Sequence, residues 1–387
     1  MKIPTTLTRR IAAFSLIVVA SSTTITLETM DSQQLQLVSQ LQEASDTNSD
    51  APQEASLFQS QGLLVETIGG QILQSRNSDL SYNPASGTKI LTAFAVLQSL
   101  GPQYRFKTRV EYQGDIKNKT LTGTISFDNG NPFFEQEQLQ QLANKLSQTG
   151  VTKAVAEIVT PVDFVFQNKT GKSATKALFQ GLRKTDLTLR APRKKQAQPI
   201  PSNTFAITVE SKPILAIVKD CLSRSDNLIA ERLGQLVGGA AMVSQIATAL
   251  SALPANSISL QSSSGLGINR ITPRAMMAVL THFKDFLESH NLELSEALPV
   301  AGIDRGTIYR RFANSKIKGV MTGKTGTLKE TDFGASVLVG ELSTKNQGRV
   351  RFVIFQKGGN TAQLRQQQNK ILENMLASSG GPGGRYK

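Results

Sequence analysis

Apolar positions along this chain follow two periods. Between Tyr82 and Leu97, Ile90, Ala93, Phe94 and Leu97 recur at helical spacing and predict a helix with one buried face. Pro84 suits its first turn, where a missing N–H has no partner to lose, and Gly101-Pro102 supplies a stop. Upstream, Leu63 to Ile68 and Gln71 to Ser75 read as strands around Gly69-Gly70, a two-residue hairpin signal. Downstream, Thr108 to Tyr112 and Leu121 to Phe127 predict strands. Glu135 to Ser147 predicts an amphipathic helix stopped by Gly150, and Ala154 to Val159 a further strand. Order resumes at Thr204 to Val209. Helices are predicted over Pro213 to Leu222, Leu228 to Val237 and Pro273 to Leu287, with a turn at Ser264-Gly265-Leu266-Gly267. Val320 to Thr327, Ala335 to Leu342 and Val350 to Gln356 read as a meander, closed by a helix over Thr361 to Leu376. The glycine-rich end, 379–387, predicts a frayed tail.

The same pattern divides the chain. Lys2, Arg9 and Arg10 precede ten mostly apolar residues, Ile11 to Ala20, too few to span a bilayer comfortably. Residues 1–20 therefore read as an export signal, with Val18-Val19-Ala20 as its cleavage site, and the protein is expected in the periplasm or cell envelope. No cysteine lies near that site, which excludes a lipoprotein. Residues 21–57 are polar and read as a flexible spacer. Residues 106–202 read as an inserted module, so 58–105 and 203–378 should form one discontinuous domain. Its polar, basic stretch from Arg183 to Pro201 reads as a solvated loop.

The 387 residues carry a net charge of +14, and loss of three positive charges with residues 1–20 leaves +11. A basic exported protein suits anionic envelope polymers or a membrane surface. No nucleic-acid motif is present, so no nucleic-acid partner is expected. Cys221 is alone, and His282 and His290 are separated, so no disulfide, metal site or other cofactor is implied.

Candidate chemistry lies in three elements in fixed order: Ser86-x-x-Lys89, Ser225-Asp226-Asn227 and Lys324-Thr325-Gly326. A hydroxyl and an amine three residues apart share one helical face, under the free N–H groups of a helix start. This set marks serine acyl enzymes that act on penicillins and D-alanyl peptides. Each piece recurs elsewhere: Ser173-x-x-Lys176, Ser315-x-x-Lys318, Ser75-Arg76-Asn77, Ser81-Tyr82-Asn83 and Lys169-Thr170-Gly171. Only Ser86 opens a proline-initiated helix, only Ser225 lies between two predicted helices, and only Lys324 lies on a predicted strand.

The chain resembles the class C low-molecular-mass penicillin-binding proteins, the D-alanyl-D-alanine carboxypeptidase/endopeptidase family. Asn83-Pro84-Ala85-Ser86, Leu121-Thr122-Gly123-Thr124, Ser211 to Leu215, Ser264-Gly265-Leu266, Asn269-Arg270, Leu298 to Gly302, Gly306-Thr307 and Arg311-Phe312 extend the likeness over most of 60–360. It departs at Ser262-Ser263, where the family has Asp-Gly, and at Asn131, where it has Asp. The resemblance implies an α/β (α+β) fold of the serine β-lactamase/penicillin-binding-protein transpeptidase-like type. In it, an antiparallel sheet is flanked by helices and carries an inserted smaller α/β domain. It implies a serine D-Ala-D-Ala carboxypeptidase acting on peptidoglycan stem peptides and acylated by β-lactams. A serine β-lactamase would need a Glu-x-x-Leu-Asn loop between Asn227 and Lys324, and none is found. A non-catalytic envelope-binding or penicillin-sensing protein is the other alternative.

By resemblance, Ser86 is the nucleophile and Lys89 its base. Ser225 relays a proton, and Asn227 orients Lys89 and binds the substrate carbonyl. Lys324, Thr325 and Thr327 hold the terminal carboxylate, and Gly326 clears room for substrate beside the strand. The backbone N–H groups of Ser86 and Thr327 form the oxyanion hole. A free lysine near pKa 10.4 is a poor base at neutral pH, so burial and the Lys324 charge are expected to lower Lys89.

Overall fold

The computed structural model describes residues 61–191 and 204–386. The expected export signal, the spacer over 21–57 and the second half of the basic stretch lie outside the described residues. In chain order the main elements are β1 (Gln61–Thr67), β2 (Ile72–Arg76), α1 (Thr88–Leu100), β3 (Lys107–Lys117), β4 (Thr120–Phe127), α2 (Gln136–Gln148) and β5 (Lys153–Val159). There follow α3 (Gly171–Leu182), β6 (Thr188–Arg190), β7 (Thr204–Glu210), α4 (Ile214–Arg224), α5 (Asn227–Gln235) and α6 (Gly239–Leu250). The chain closes with α7 (Pro273–Ser289), β8 (Met321–Leu328), β9 (Ala335–Thr344), β10 (Gly348–Lys357) and α8 (Thr361–Ser378).

The N-terminal hairpin joins the three C-terminal strands in one antiparallel sheet, in the order β8-β9-β10-β1-β2. Strand alternation gives the sheet two apolar faces. Val337, Val339, Val353 and Phe355 point toward the helical layer around α1 and α7. Leu338, Leu342, Phe352 and Ile354 point the other way, onto Leu372, Met375 and Leu376 of α8. The sheet is thus buried between helices on both sides.

Helix α1 is buried on every side from Thr88 to Leu97, not on one face only. It touches α4, α5, α6 and α7. Its polar members Thr88, Lys89 and Thr92 are inside as well.

A second five-stranded sheet, β6-β5-β4-β3-β7, has its own core with Leu139, Leu142, Leu146, Leu178 and Leu182 of α2 and α3. Strand β7 pairs with β3, Lys107 opposite Glu210, so Thr204–Glu210 joins this sheet and not the main one. Helix α3 was not expected although Ala174, Ala177, Leu178 and Leu182 recur at helical spacing, and β6 falls in the stretch expected as a solvated loop, with Leu189 buried.

The C-terminal tail is not frayed. Pro382 bridges Thr344, Tyr386 N donates to Gly319 O at 2.8 Å, and the Tyr386 hydroxyl donates to Glu341 Oε1 at 2.7 Å. Glu341 is wholly buried in β9, and burial raises its carboxyl above the usual range. Glycines let the backbone reach this contact, and Tyr386 holds it there by hydrogen-bonding one oxygen of a buried acid that Arg349 also faces. Tyr386→Phe leaves that oxygen without its donor. It should cost about 1–3 kcal/mol, read as a lower denaturant midpoint at an unchanged m value.

Candidate active site

Pro84 caps a single 3-10 turn, Ala85–Gly87, and α1 begins only at Thr88. The expected helix start is therefore broken in two. Ala85 has φ of +45°, a left-handed conformation that is costly for a side chain with a Cβ. Its neighbours hold it there. Asn83 Oδ1 accepts from Ala85 N at 3.0 Å, and Gly265 packs so closely that a Cβ would lie 1.8 Å from Ala85 O. The turn sets Ser86 half-buried above the helix end.

Lys89 follows one turn later and is 1% exposed. Its ammonium donates to Ser86 Oγ at 3.1 Å, Asn227 Oδ1 at 2.7 Å and Ser264 O at 2.5 Å. Three donors meet three acceptors, which fixes the amine against the serine. Burial pushes Lys89 down to about 8, and Glu231 and Asp226 oppose that shift. Glu231 also accepts from Ser264 N at 2.9 Å, so it holds the segment whose carbonyl meets Lys89.

Ser225 ends α4 in a left-handed conformation, φ +59°, and Asp226 caps α5 by accepting from Ile229 N at 3.0 Å. Asp226 thus shapes the loop that presents its two neighbours. Lys324 Nζ donates to Ser225 Oγ at 2.9 Å and to Thr325 O at 2.6 Å. Lys324 is wholly buried, and it does not line the cleft in front of Ser86. Burial, followed by the charge of Lys89, pushes Lys324 down to about 7. Its ammonium faces Ser225, which itself lines the cleft. Repulsion between the two ammonium groups is mutual, so their titrations are coupled.

Strand β8 is a sheet edge. Met321 O and Gly323 N on its free side bond the 299–301 segment. Because a ladder alternates, the N–H groups of Thr325 and Thr327 point to that same open side. The Thr327 N–H is thus directed away from β9 and toward the cleft that Ser86 and Thr327 line. This cleft, of about 420 Å³, also takes in Ser225, Thr307, Thr325 and Gly326. Thr325 Oγ1 donates to Thr307 Oγ1 at 2.8 Å.

Gly326 serves a different contact from the one expected. A Cβ there would lie 2.9 Å from both Pro84 O and Ser86 N. The glycine lets β8 touch the serine turn. Gly326→Ala should push the two apart by a few tenths of an ångström or more and lower kcat/KM roughly 100-fold. Thermal melting should show the variant still folded, and an unchanged kcat/KM would contradict this account.

Two groups at the site had no motif to announce them, Glu231 and Arg365, while Ser264, Thr307 and Arg311 lie in stretches that carry the resemblance but had no role assigned. Glu231 lies four residues beyond Asn227, on the same face of α5, which was an available signal. The Ser262-Ser263 departure is absorbed locally. Ser262 Oγ accepts from Gly265 N at 3.0 Å and closes the turn, while Ser263 packs against Gly234, where a Cβ would lie 2.0 Å from its Oγ. The repeated motifs are not sites of this kind. Ser173 does stand on a helix with a buried face, but Lys176 is exposed and Ser173 Oγ donates to Thr170 O. Lys318 is exposed as well.

The family model for D-Ala-D-Ala carboxypeptidase 3 (S13) matches residues 49–169 and 159–378. A carboxypeptidase of Mycobacterium tuberculosis is 24% identical over 353 residues, covering 76% of this chain and 75% of that protein. The D-alanyl-D-alanine carboxypeptidase DacB of Haemophilus influenzae is 32% identical over 170 residues, covering 40% of this chain and 34% of its own. Among solved structures, a predatory endopeptidase from Bdellovibrio bacteriovorus superposes with a TM-score of 0.68 at 20% identity, covering 84% of this chain and 94% of the other. Its penicillin G-acylated form, in complex with an immunity protein, gives 0.66 at the same identity and coverage. At that identity the likeness is one of fold.

Proposed function

Because the chain belongs to the D-Ala-D-Ala carboxypeptidase 3 (S13) family, we propose that it hydrolyses the D-alanyl-D-alanine bond of peptidoglycan stem peptides through an acyl-enzyme on Ser86. The carrying observation is the buried amine of Lys89, fixed on Ser86 Oγ at 3.1 Å by Asn227 and Ser264. In its neutral form Lys89 takes the Ser86 proton as Oγ attacks the carbonyl carbon. The oxyanion lies between the N–H groups of Ser86 and Thr327, and such donors are worth about 3 kcal/mol of barrier each. Ser225, hydrogen-bonded to Lys324, relays the proton that Lys89 took from Ser86 to the leaving nitrogen, and Lys89 is neutral again. The amide breaks, and free D-alanine departs. Water then adds to the ester, gives its proton to Lys89, and releases the shortened peptide with Ser86 restored.

The extended peptide lies beside β8 as an added edge strand. Thr325 and Thr327, whose side chains line the cleft, hold its terminal carboxylate. β-Lactams acylate the same serine. Residues 1–20 support a site of action outside the cytoplasm, where this polymer lies.

One assay tests the reading. A stem-peptide mimic should release D-alanine over many turnovers, and stoichiometric penicillin should stop that release. Repeated penicillin turnover without D-alanine release would replace this reading with a β-lactamase. Binding of the peptide with neither substrate processed would replace it with a sensor.

A further inference from the structure

We infer that Arg365 is the cation that recognises the free α-carboxylate of the leaving residue, and so sets specificity for a free C-terminus. The inference rests on the acyl-transfer reading of the cleft. A carboxylate that leaves water needs a charged or strongly donating partner. Lys324 is not that partner, since it is wholly buried and its ammonium faces Ser225 Oγ and Thr325 O.

Arg365 is placed differently. It rises from the second turn of α8 and is exposed. Its Nη2 donates to Thr327 Oγ1 at 2.8 Å, at the end of the cleft where the Thr325 and Thr327 hydroxyls gather. Arg311 lines the same end, but three of its five N–H groups are already engaged. Nε donates to Asn369 Oδ1 at 2.7 Å, and Nη2 donates to Arg365 O and Gln368 Oε1 at 3.0 Å each. Arg311 therefore positions α8, and Arg365 keeps further donors of its fork for a ligand.

Neither guanidinium forms an ion pair among the described residues. Burial, followed by the charge of Arg365, pushes Arg311 down to about 10. Two neighbouring cations without a carboxylate repel until an anion joins them. A planar fork beside two hydroxyls fits a carboxylate bound through both oxygens.

The test compares a D-Ala-D-Ala peptide with its C-terminal amide, using wild type, Arg365→Gln and Arg365→Lys. Arg365→Gln should raise KM for the free acid about tenfold or more, keep kcat within a few-fold, and leave the amide unchanged. Arg365→Lys should restore part of the preference for the acid. Equal losses on acid and amide, or no loss on either, would overturn the inference. If wild type releases nothing from either peptide, the carboxypeptidase reading fails on its own. Arg365 is then judged by the rate of acylation by penicillin against penicillin methyl ester. An acid-to-ester ratio unchanged by Arg365→Gln overturns the inference there too.

Discussion

Ser86→Ala should abolish covalent labelling by penicillin and lower D-alanine release by roughly 10⁴-fold or more. Loss of the nucleophile removes the acyl-enzyme itself, so no other serine can take over unless it also faces a buried amine. Ser173 and Ser315 show the needed spacing but not that environment, because Lys176 and Lys318 are exposed. An amine in open water is not held against a hydroxyl in a geometry for taking its proton. Ser173→Ala and Ser315→Ala should therefore label at the wild-type rate. Intact mass, followed by peptide mapping of the adduct, reads the result. An adduct on either of those serines, or full labelling of Ser86→Ala, would overturn the assignment.

The second large effect concerns the state of Lys89. A lysine held at about 8 is neutral in about a quarter of molecules at pH 7.5, against about one in a thousand at its ordinary value. Only the neutral form accepts the Ser86 proton. The rate of acylation should therefore rise with pH, close to tenfold per unit well below 8, and level off above it. Lys324 titrates nearby at about 7, so the apparent values belong to the pair of amines. Lys89→Gln removes the base and should lower kcat/KM by about 10³-fold, near the middle of the range for general base catalysis. It should also abolish the rising limb. A Lys89→Gln enzyme that keeps the limb would show that another group is the base.

Much of this was legible in the sequence, and the rest was hidden for definable reasons. The three motifs survived because each needs particular side chains, and a residue type is what a sequence records. The Ser264 contribution is a backbone carbonyl, which any residue could provide. Arg365 meets Thr327 across 38 residues and one strand pair of intervening fold, with no spacing rule to announce it. The meander and hairpin were visible because strand alternation and Gly69-Gly70 are local signals. Helix α6 was not, because Gly239, Ala240 and Ala241 at its start carry weak helical periodicity, and its place against α1 is decided by tertiary packing. The tail was misread because composition describes its glycines and not the acid that Tyr386 meets.

The order of strands in the main sheet bears on how the protein is made. Strand β1 sits between β10 and β2, and Gln61 pairs with Gln356 across nearly the whole described chain. Such pairing has very high contact order, and its loop-closure entropy must be overcome before any contact in that register is gained. The serine turn leads out of β1 and β2, while the strand it touches, β8, belongs to the far end of the same sheet. A nascent chain that has emerged only as far as α7 therefore carries Ser86, Lys89, Asn227 and Ser264 but lacks β8, the strand that the serine turn touches. The strand closes on the serine turn only in a late step, when β8 has joined the sheet. Covalent uptake of labelled penicillin during refolding should consequently appear with the last kinetic phase, behind the recovery of helical signal, so that the acylation reaction doubles as a clock for completion of the fold.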